Sequence, residues 1–242
     1  MKATNFLMTA TLLIAIVIFF SCNKKDDNHP EPQTGYFAKS MTIKWDGKHY
    51  MKINFRYDGN NRLISQTFDD LIFTYEYNDQ GQLSVMRFDD YEWYSIDYEN
   101  NVIVKIVKYD MGTDRVLDES PVTFSNGIYS INGEEICKVD NQDQLLELYR
   151  VGVKFSYGEG AGVHQHLALS PARYLVLEGE FVGYDLALSH KELVSWLEMD
   201  TSLTFESQRN EQGLITSIQL TSVYDEEYQW DIEYEERELV GL

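Results

Sequence analysis

The chain is poor in cysteine and in basic residues, and each shortage excludes a class of protein. Its 242 residues include two cysteines, Cys22 and Cys137. Cys22 has a separate role at the N-terminus, which leaves Cys137 unpaired and excludes a disulfide framework. Twenty Lys and Arg stand against 40 Asp and Glu, a formal net charge of −20. Recognition of nucleic acid needs a basic surface, so DNA and RNA are not expected partners.

The chain also lacks the short motifs of several common enzyme classes. It contains no P-loop, no GxGxxG, no GxSxG and no HExxH. Adjacent acidic residues are frequent, but 40 acidic residues make such pairs inevitable. A glycosidase needs two carboxylates at a set separation across a cleft, which abundance alone does not indicate. We therefore predict no enzymatic activity and no cofactor.

What the chain does contain is a repeat of twenty residues over positions 51–110. Each unit opens with alternating apolar and polar side chains, the period of a strand with one buried face. A turn rich in Asn, Asp and Gly follows, and then a second strand. Each unit is thus predicted to be a β-hairpin. Equivalent positions in the first two units include the pairs Tyr57 and Tyr77, Leu63 and Leu83, and Phe68 and Phe88.

Consecutive hairpins predict an all-β fold, because one hairpin cannot bury its apolar face alone. We expect a single β domain over 36–242, an antiparallel meander of about 10 to 13 strands curling into a barrel or strongly curved sheet. A short helical insertion is predicted near 170–198. Ser170–Pro171 could open one helical turn, and Ser189 with Glu192 forms a capping box before a helix at about 190–198.

The first 27 residues have the pattern of an exported protein. Lys2 precedes an apolar run over 6–20 that is short for a membrane span, and Ser21–Cys22 follows at once. This resembles a bacterial lipoprotein signal, which implies removal of residues 1–21 and acylation of Cys22. The alternative is an ordinary signal peptide with an accidental cysteine. Residues 22–35 would be the acylated cysteine and a flexible tether, anchored stably by two or more acyl chains.

Two further resemblances concern location and family. Residues 25–27, Lys-Asp-Asp, resemble the export signal of Bacteroidota surface lipoproteins, which implies an outer-membrane anchor facing the cell exterior. The units FRYDGNNRL and YEYNDQGQL resemble the tyrosine-aspartate repeats of Rhs-type shells. The whole plan is similar to a Bacteroidota lipoprotein family of unknown function with a porin-like fold, and departs from it where Asn100–Asn101 lacks the turn glycine. That resemblance supplies no catalytic residues.

A membrane-spanning porin is not expected, because Lys52, Asn54 and Arg56 would then line a lumen. His164 and His166 are expected to place two imidazoles on one face of a strand. No third ligand follows at a spacing typical of metal sites, so we predict no metal site. Aromatic side chains are the candidate ligand-binding residues, with core packing as the alternative. They are Trp45, Tyr91, Trp93, Tyr94, Tyr228 and Trp230.

We therefore expect a lipid-anchored cell-surface binding or interaction module, with a glycan, an apolar small molecule or a surface protein as its partner. A glycan-degrading enzyme and a structural adhesin component are the alternatives. A binding module predicts a concave aromatic site. A glycan-degrading enzyme predicts two convergent carboxylates about 5 to 10 Å apart. An adhesin component predicts a broad exposed patch.

Overall fold

The computed structural model describes residues 33–89, 91–167, 170–177, 189–198, 201–221 and 227–240. The predicted leader, Cys22 and the tether up to residue 32 lie outside these ranges. The strands are β1 Thr34–Trp45, β2 Lys48–Tyr57, β3 Leu63–Phe68, β4 Leu71–Tyr77, β5 Leu83–Phe88, β6 Glu92–Glu99, β7 Val102–Asp110, β8 Val116–Ser125, β9 Ile128–Ile131, β10 Glu134–Val139, β11 Leu145–Leu148, β12 Val153–Ala161, β13 Lys191–Glu198, β14 Thr201–Arg209, β15 Ile215–Thr221 and β16 Glu227–Glu238, and the helix α1 is Pro171–Val176.

The strands form a closed antiparallel barrel in which each strand pairs with its neighbours in sequence and β1 pairs with β16. The predicted all-β meander and its curling into a barrel are confirmed. The described residues form 16 strands, more than the 10 to 13 expected, and one of the additional strands is β13, where the sequence predicted a helix.

The helical insertion is confirmed by α1, which begins after Ser170 with Pro171 at its first position. The second helix, predicted at about 190–198, is wrong: these residues form β13, hydrogen-bonded to β12 and β14. A register shift beside Leu193 turns both Leu193 and Trp196 towards the interior, so a bulged strand reproduces the three-residue spacing of a helix. No helix in the described ranges is long and apolar enough to cross a bilayer.

Four of the hairpin turns share the same hydrogen bonds between a side chain and the backbone. In each of them an Asp or Asn accepts hydrogen bonds from the backbone N–H groups two and four residues later, at 2.8 to 3.0 Å. The third residue after it has a positive φ, between 59° and 80°. The chain can therefore reverse without leaving these amides unsatisfied. The four acceptors are Asp58, Asn78, Asp140 and Asn210.

Five tyrosines tie their strands to the preceding strands, and two of them, Tyr57 and Tyr77, stand directly before the turns at Asp58 and Asn78. Each hydroxyl donates to a backbone carbonyl of the preceding strand at 2.7 to 2.9 Å. Burial raises the pKa of Tyr77 and Tyr98 to about 12, which keeps these hydroxyls protonated as donors. The donor and acceptor pairs are Tyr57 to Ala38, Tyr77 to Leu63, Tyr98 to Leu83, Tyr157 to Leu145, and Tyr234 to Ile215.

The two faces of the barrel wall differ in polarity. In β2, Ile53 and Phe55 belong to the buried interior core, whereas the intervening Asn54 is exposed. Cross-strand ion pairs such as Lys44–Asp231, at 2.6 Å, lie on the outward face. At these positions the outward face of the wall is polar.

Part of the barrel interior is occupied by residues that lie between β12 and β13 in the sequence. Val163, Leu167 and all six residues of α1 are buried there. Arg173 of α1 donates to the side-chain oxygen of Gln66, an inward residue of β3, at 3.0 Å. Around these described residues the barrel interior is therefore packed with side chains.

Candidate functional site

A cavity of about 340 Å³ lies at one end of the barrel, here called the Tyr91 rim, which carries Tyr91 and the turns at 46–47, 69–70 and 111–115. Strands β4 to β7 supply most of the wall, and the end of α1 supplies the rest. The lining residues are Leu71, Phe73, Phe88, Tyr91, Glu92, Tyr94, Lys108, Val176 and Leu177.

The wall is aromatic because of strand register. Phe73 pairs directly with Phe88 across β4 and β5, and the two rings meet edge to face with centroids 4.7 Å apart. Phe88 in turn meets Tyr94 of β6 edge to face at 5.3 Å. Edge-to-face rings give a firm apolar surface with little side-chain freedom. Val176 and Leu177 add aliphatic surface opposite them.

Three polar groups stand together at this wall. The Tyr94 hydroxyl donates to Glu92 Oε1 at 2.5 Å, and Lys108 Nζ lies 2.5 Å from Glu92 Oε2. Lys108 Nζ is also 5.6 Å from the centre of the Tyr94 ring. The side chains of Glu92 and Lys108 keep 28% and 35% of their exposure. One acid and one base thus balance each other beside an apolar space.

Two of the six aromatic residues singled out from the sequence, Tyr91 and Tyr94, line this cavity. Trp45 stacks on Tyr228 at the same end of the barrel, with rings 6.1 Å apart and nearly parallel, but neither is among the lining residues. The part that these four play in ligand binding stays a prediction.

The other two aromatic residues lie elsewhere. Trp93 faces outward, with its ring stacked on Tyr109 at 3.9 Å and the Arg87 guanidinium 4.9 Å from its centre. Trp230 is buried in the core and stacks on Phe205. Both rings are engaged by neighbouring side chains, and neither is brought to the cavity.

Sequence reasoning missed the polar pair. Glu92 and Lys108 lie sixteen positions apart in the sequence, and the pairing of Tyr94 with Lys108 across β6 and β7 brings them together. A signal was available, since Glu92 is two residues from Tyr94 and must share its face. Lys108 follows Ile106 at a spacing of two, so the alternation of β7 places it on the same inward face.

His164 and His166 lie in a turn and not on a strand as expected; His164 is buried in the barrel, whereas His166 is exposed. The ring of His164 meets Phe55 edge to face at 5.3 Å, and His166 lies 5.8 Å from Phe37. Burial, with the nearby Arg173 guanidinium and His190, lowers the pKa of His164 to about 3, so the ring is neutral at pH 7. The described residues include no group of three His, Cys, Asp or Glu placed to hold a metal ion.

No protein-family model matches the chain. No curated protein matches it either. Among solved structures, it is similar to a porin-like protein from Bacteroides uniformis ATCC 8492, with 11% identity over 82% of this chain and 96% of that chain and a TM-score of 0.49. A porin-like protein from Bacteroides vulgatus ATCC 8482 has 11% identity over 83% and 99%, with a TM-score of 0.41. At such identities the likeness concerns the fold alone.

Proposed function

We propose that this chain is a binding module that takes an apolar small molecule into the cavity at the Tyr91 rim. The observation that carries the proposal is the cavity itself, about 340 Å³ with aromatic and aliphatic walls and a few convergent polar groups. Ligand sites have this composition, and the volume lies at the small end of their usual range of roughly 300 to 1,000 Å³.

The cavity volume bounds the ligand. At about 30 Å³ for each water-sized group, this space accepts roughly ten non-hydrogen atoms. At about 0.5 kcal/mol per atom, within the span observed for small ligands, binding would be worth roughly 5 kcal/mol. That corresponds to a dissociation constant of a few hundred micromolar, roughly. A medium-length alkyl chain is the simplest probe.

A pair of substitutions in β4 tests the site. Leu71 lines the cavity, whereas the adjacent Ile72 is exposed on the outward face. Leu71→Trp should fill the cavity and weaken binding of 1-octanol about tenfold or more, because overlap with the ligand removes its contacts. Ile72→Trp adds the same side chain outside and should leave binding unchanged. Calorimetric titration would measure both, in chain carrying Cys22→Ser so that no acyl group competes.

Unchanged octanol binding by the Leu71→Trp variant, with circular dichroism equal to that of the parent, would remove the cavity as the binding site. An equal loss in both variants would point to disturbed folding and would also contradict the proposal, since the exposed position should tolerate the change.

We further propose that acylation of Cys22 holds this module at the outer membrane with the barrel facing the cell exterior. The sequence Ser21–Cys22 after an apolar run and the Lys-Asp-Asp at 25–27 support this, as does the polar outward face of the barrel. Metabolic labelling with a palmitate analogue should mark the chain, and Cys22→Ser should abolish the label. Retention of the label would contradict the proposal.

No particular observation favours the glycan-degrading alternative. Glycoside hydrolysis uses two carboxylates about 5 to 10 Å apart across the scissile bond. Among the described lining residues the cavity presents one carboxylate, Glu92, and that group is engaged by Tyr94 and Lys108. The concave aromatic wall is the feature that the hypothesis of a binding module predicts.

A further inference from the structure

The polar corner of the cavity has capacity left for a ligand. A carboxylate offers about four lone-pair sites and an ammonium three N–H donors. Within the part of the chain that the structure describes, Glu92 accepts from Tyr94 and from Lys108, and Lys108 donates to Glu92 and lies near the Tyr94 ring. Glu92 can therefore accept one more hydrogen bond and Lys108 can donate one more, side by side.

We infer that the cavity selects amphiphiles whose polar head carries no net charge and both donates and accepts hydrogen bonds, such as a primary alcohol or a primary amide. The inference rests on the proposed function. A hydroxyl can donate to Glu92 and accept from Lys108 while the ion pair between them stays intact. The apolar tail then lies along Phe73 and Phe88.

A charged head fits less well, because it must compete with one member of the pair. A carboxylate drawn to Lys108 meets Glu92 at the same place, and an ammonium drawn to Glu92 meets Lys108. Either head leaves one charge of a half-buried pair without its partner, which is unfavourable. Since both side chains keep partial contact with water, we expect charged heads to bind about fivefold more weakly.

Three probes with the same eight-carbon chain test this: 1-octanol, octanoate and octylammonium. In the parent chain the alcohol should bind tightest. Glu92→Gln removes the acid and leaves Lys108, so octanoate should gain and overtake the alcohol. Lys108→Met removes the base and leaves Glu92, so octylammonium should gain instead. The two substitutions thus move the preference in opposite directions.

The outward pair Glu76–Arg87, at 3.0 Å on β4 and β5, supplies the matched control. Glu76→Gln changes the net charge as Glu92→Gln does, but outside the barrel. It should leave the order of the three probes as in the parent, which separates a local effect from the overall charge of −20.

The outcomes separate this inference from the proposed function. If Leu71→Trp fails to weaken any probe, the proposed function fails. If Leu71→Trp weakens all three but octanoate or octylammonium equals the alcohol in the parent, the choice of head is overturned and the binding site remains. The comparison of the three probes in the parent chain does not depend on whether any variant folds. Where the variants do fold, an unchanged order in Glu92→Gln and Lys108→Met would overturn the inference as well.

Discussion

Protonation of His164 should make the barrel sensitive to acid. The ring is fully buried, packs against Phe55, and lies near Arg173 and His190, which disfavour a further positive charge. Its pKa is lowered from 6.5 to about 3 in the folded chain. Above pH 6.5 the ring is neutral in both states and contributes nothing. Below it, the unfolded chain binds a proton that the folded chain does not, so stability falls as the pH falls.

The size of the effect follows from linkage. Each pH unit between the two pKa values changes the free energy of unfolding by about 1.4 kcal/mol. Between about pH 7.5 and about pH 5 the loss attributable to His164 is therefore about 2 kcal/mol. In His164→Leu this contribution is absent, whatever the packing change does to the absolute stability.

Urea denaturation followed by far-ultraviolet circular dichroism, at several pH values, measures this difference. The gap between the parent and His164→Leu should change by about 2 kcal/mol across that range. Titration of the many carboxylates affects both chains alike and cancels. Parallel stability curves for the parent and His164→Leu would refute the reasoning.

Three further outcomes are expected. Tyr57→Phe should lower the free energy of unfolding by about 1 to 2 kcal/mol, because the buried carbonyl of Ala38 loses its donor; Tyr50→Phe, at an exposed ring, should change it little. Gly81→Ala should cost about 1 kcal/mol by urea denaturation through its φ of 80°, although nothing lies near the added carbon. The Cys137 thiol, buried with its pKa raised to about 12, should react with iodoacetamide only on unfolding, and rapid labelling of the folded chain would contradict this.

The hairpins could be predicted from sequence because their causes are local. The alternation in β2 and β4 spans fewer than a dozen residues, and the acceptors Asp58 and Asn78 act on amides two and four residues away. Cys137, which the sequence leaves unpaired, is buried in β10. In the hairpins, the interactions that decide the structure join residues only a few positions apart in the sequence.

The remaining features depend on residues far apart in sequence. The Glu92–Lys108 pair exists only because of the register between β6 and β7. The position of α1 inside the barrel places Arg173 against Gln66, a separation of 107 residues. The capping box at Ser189 was a sound local signal, but pairing of β13 with two neighbouring strands prevailed over it.

The pairing of β1 with β16 over eleven residue pairs has a consequence for how the molecule is made. The ribosome synthesises β1 long before β16. For most of synthesis the growing sheet therefore has two edge strands whose unpaired backbone groups can pair with other chains. Only the last strand seals them. A circularly permuted gene, cut at the 126–127 turn and joined across β16 and β1, would keep every strand neighbour, but β1 would follow β16 directly and the closing pair would be β8 with β9.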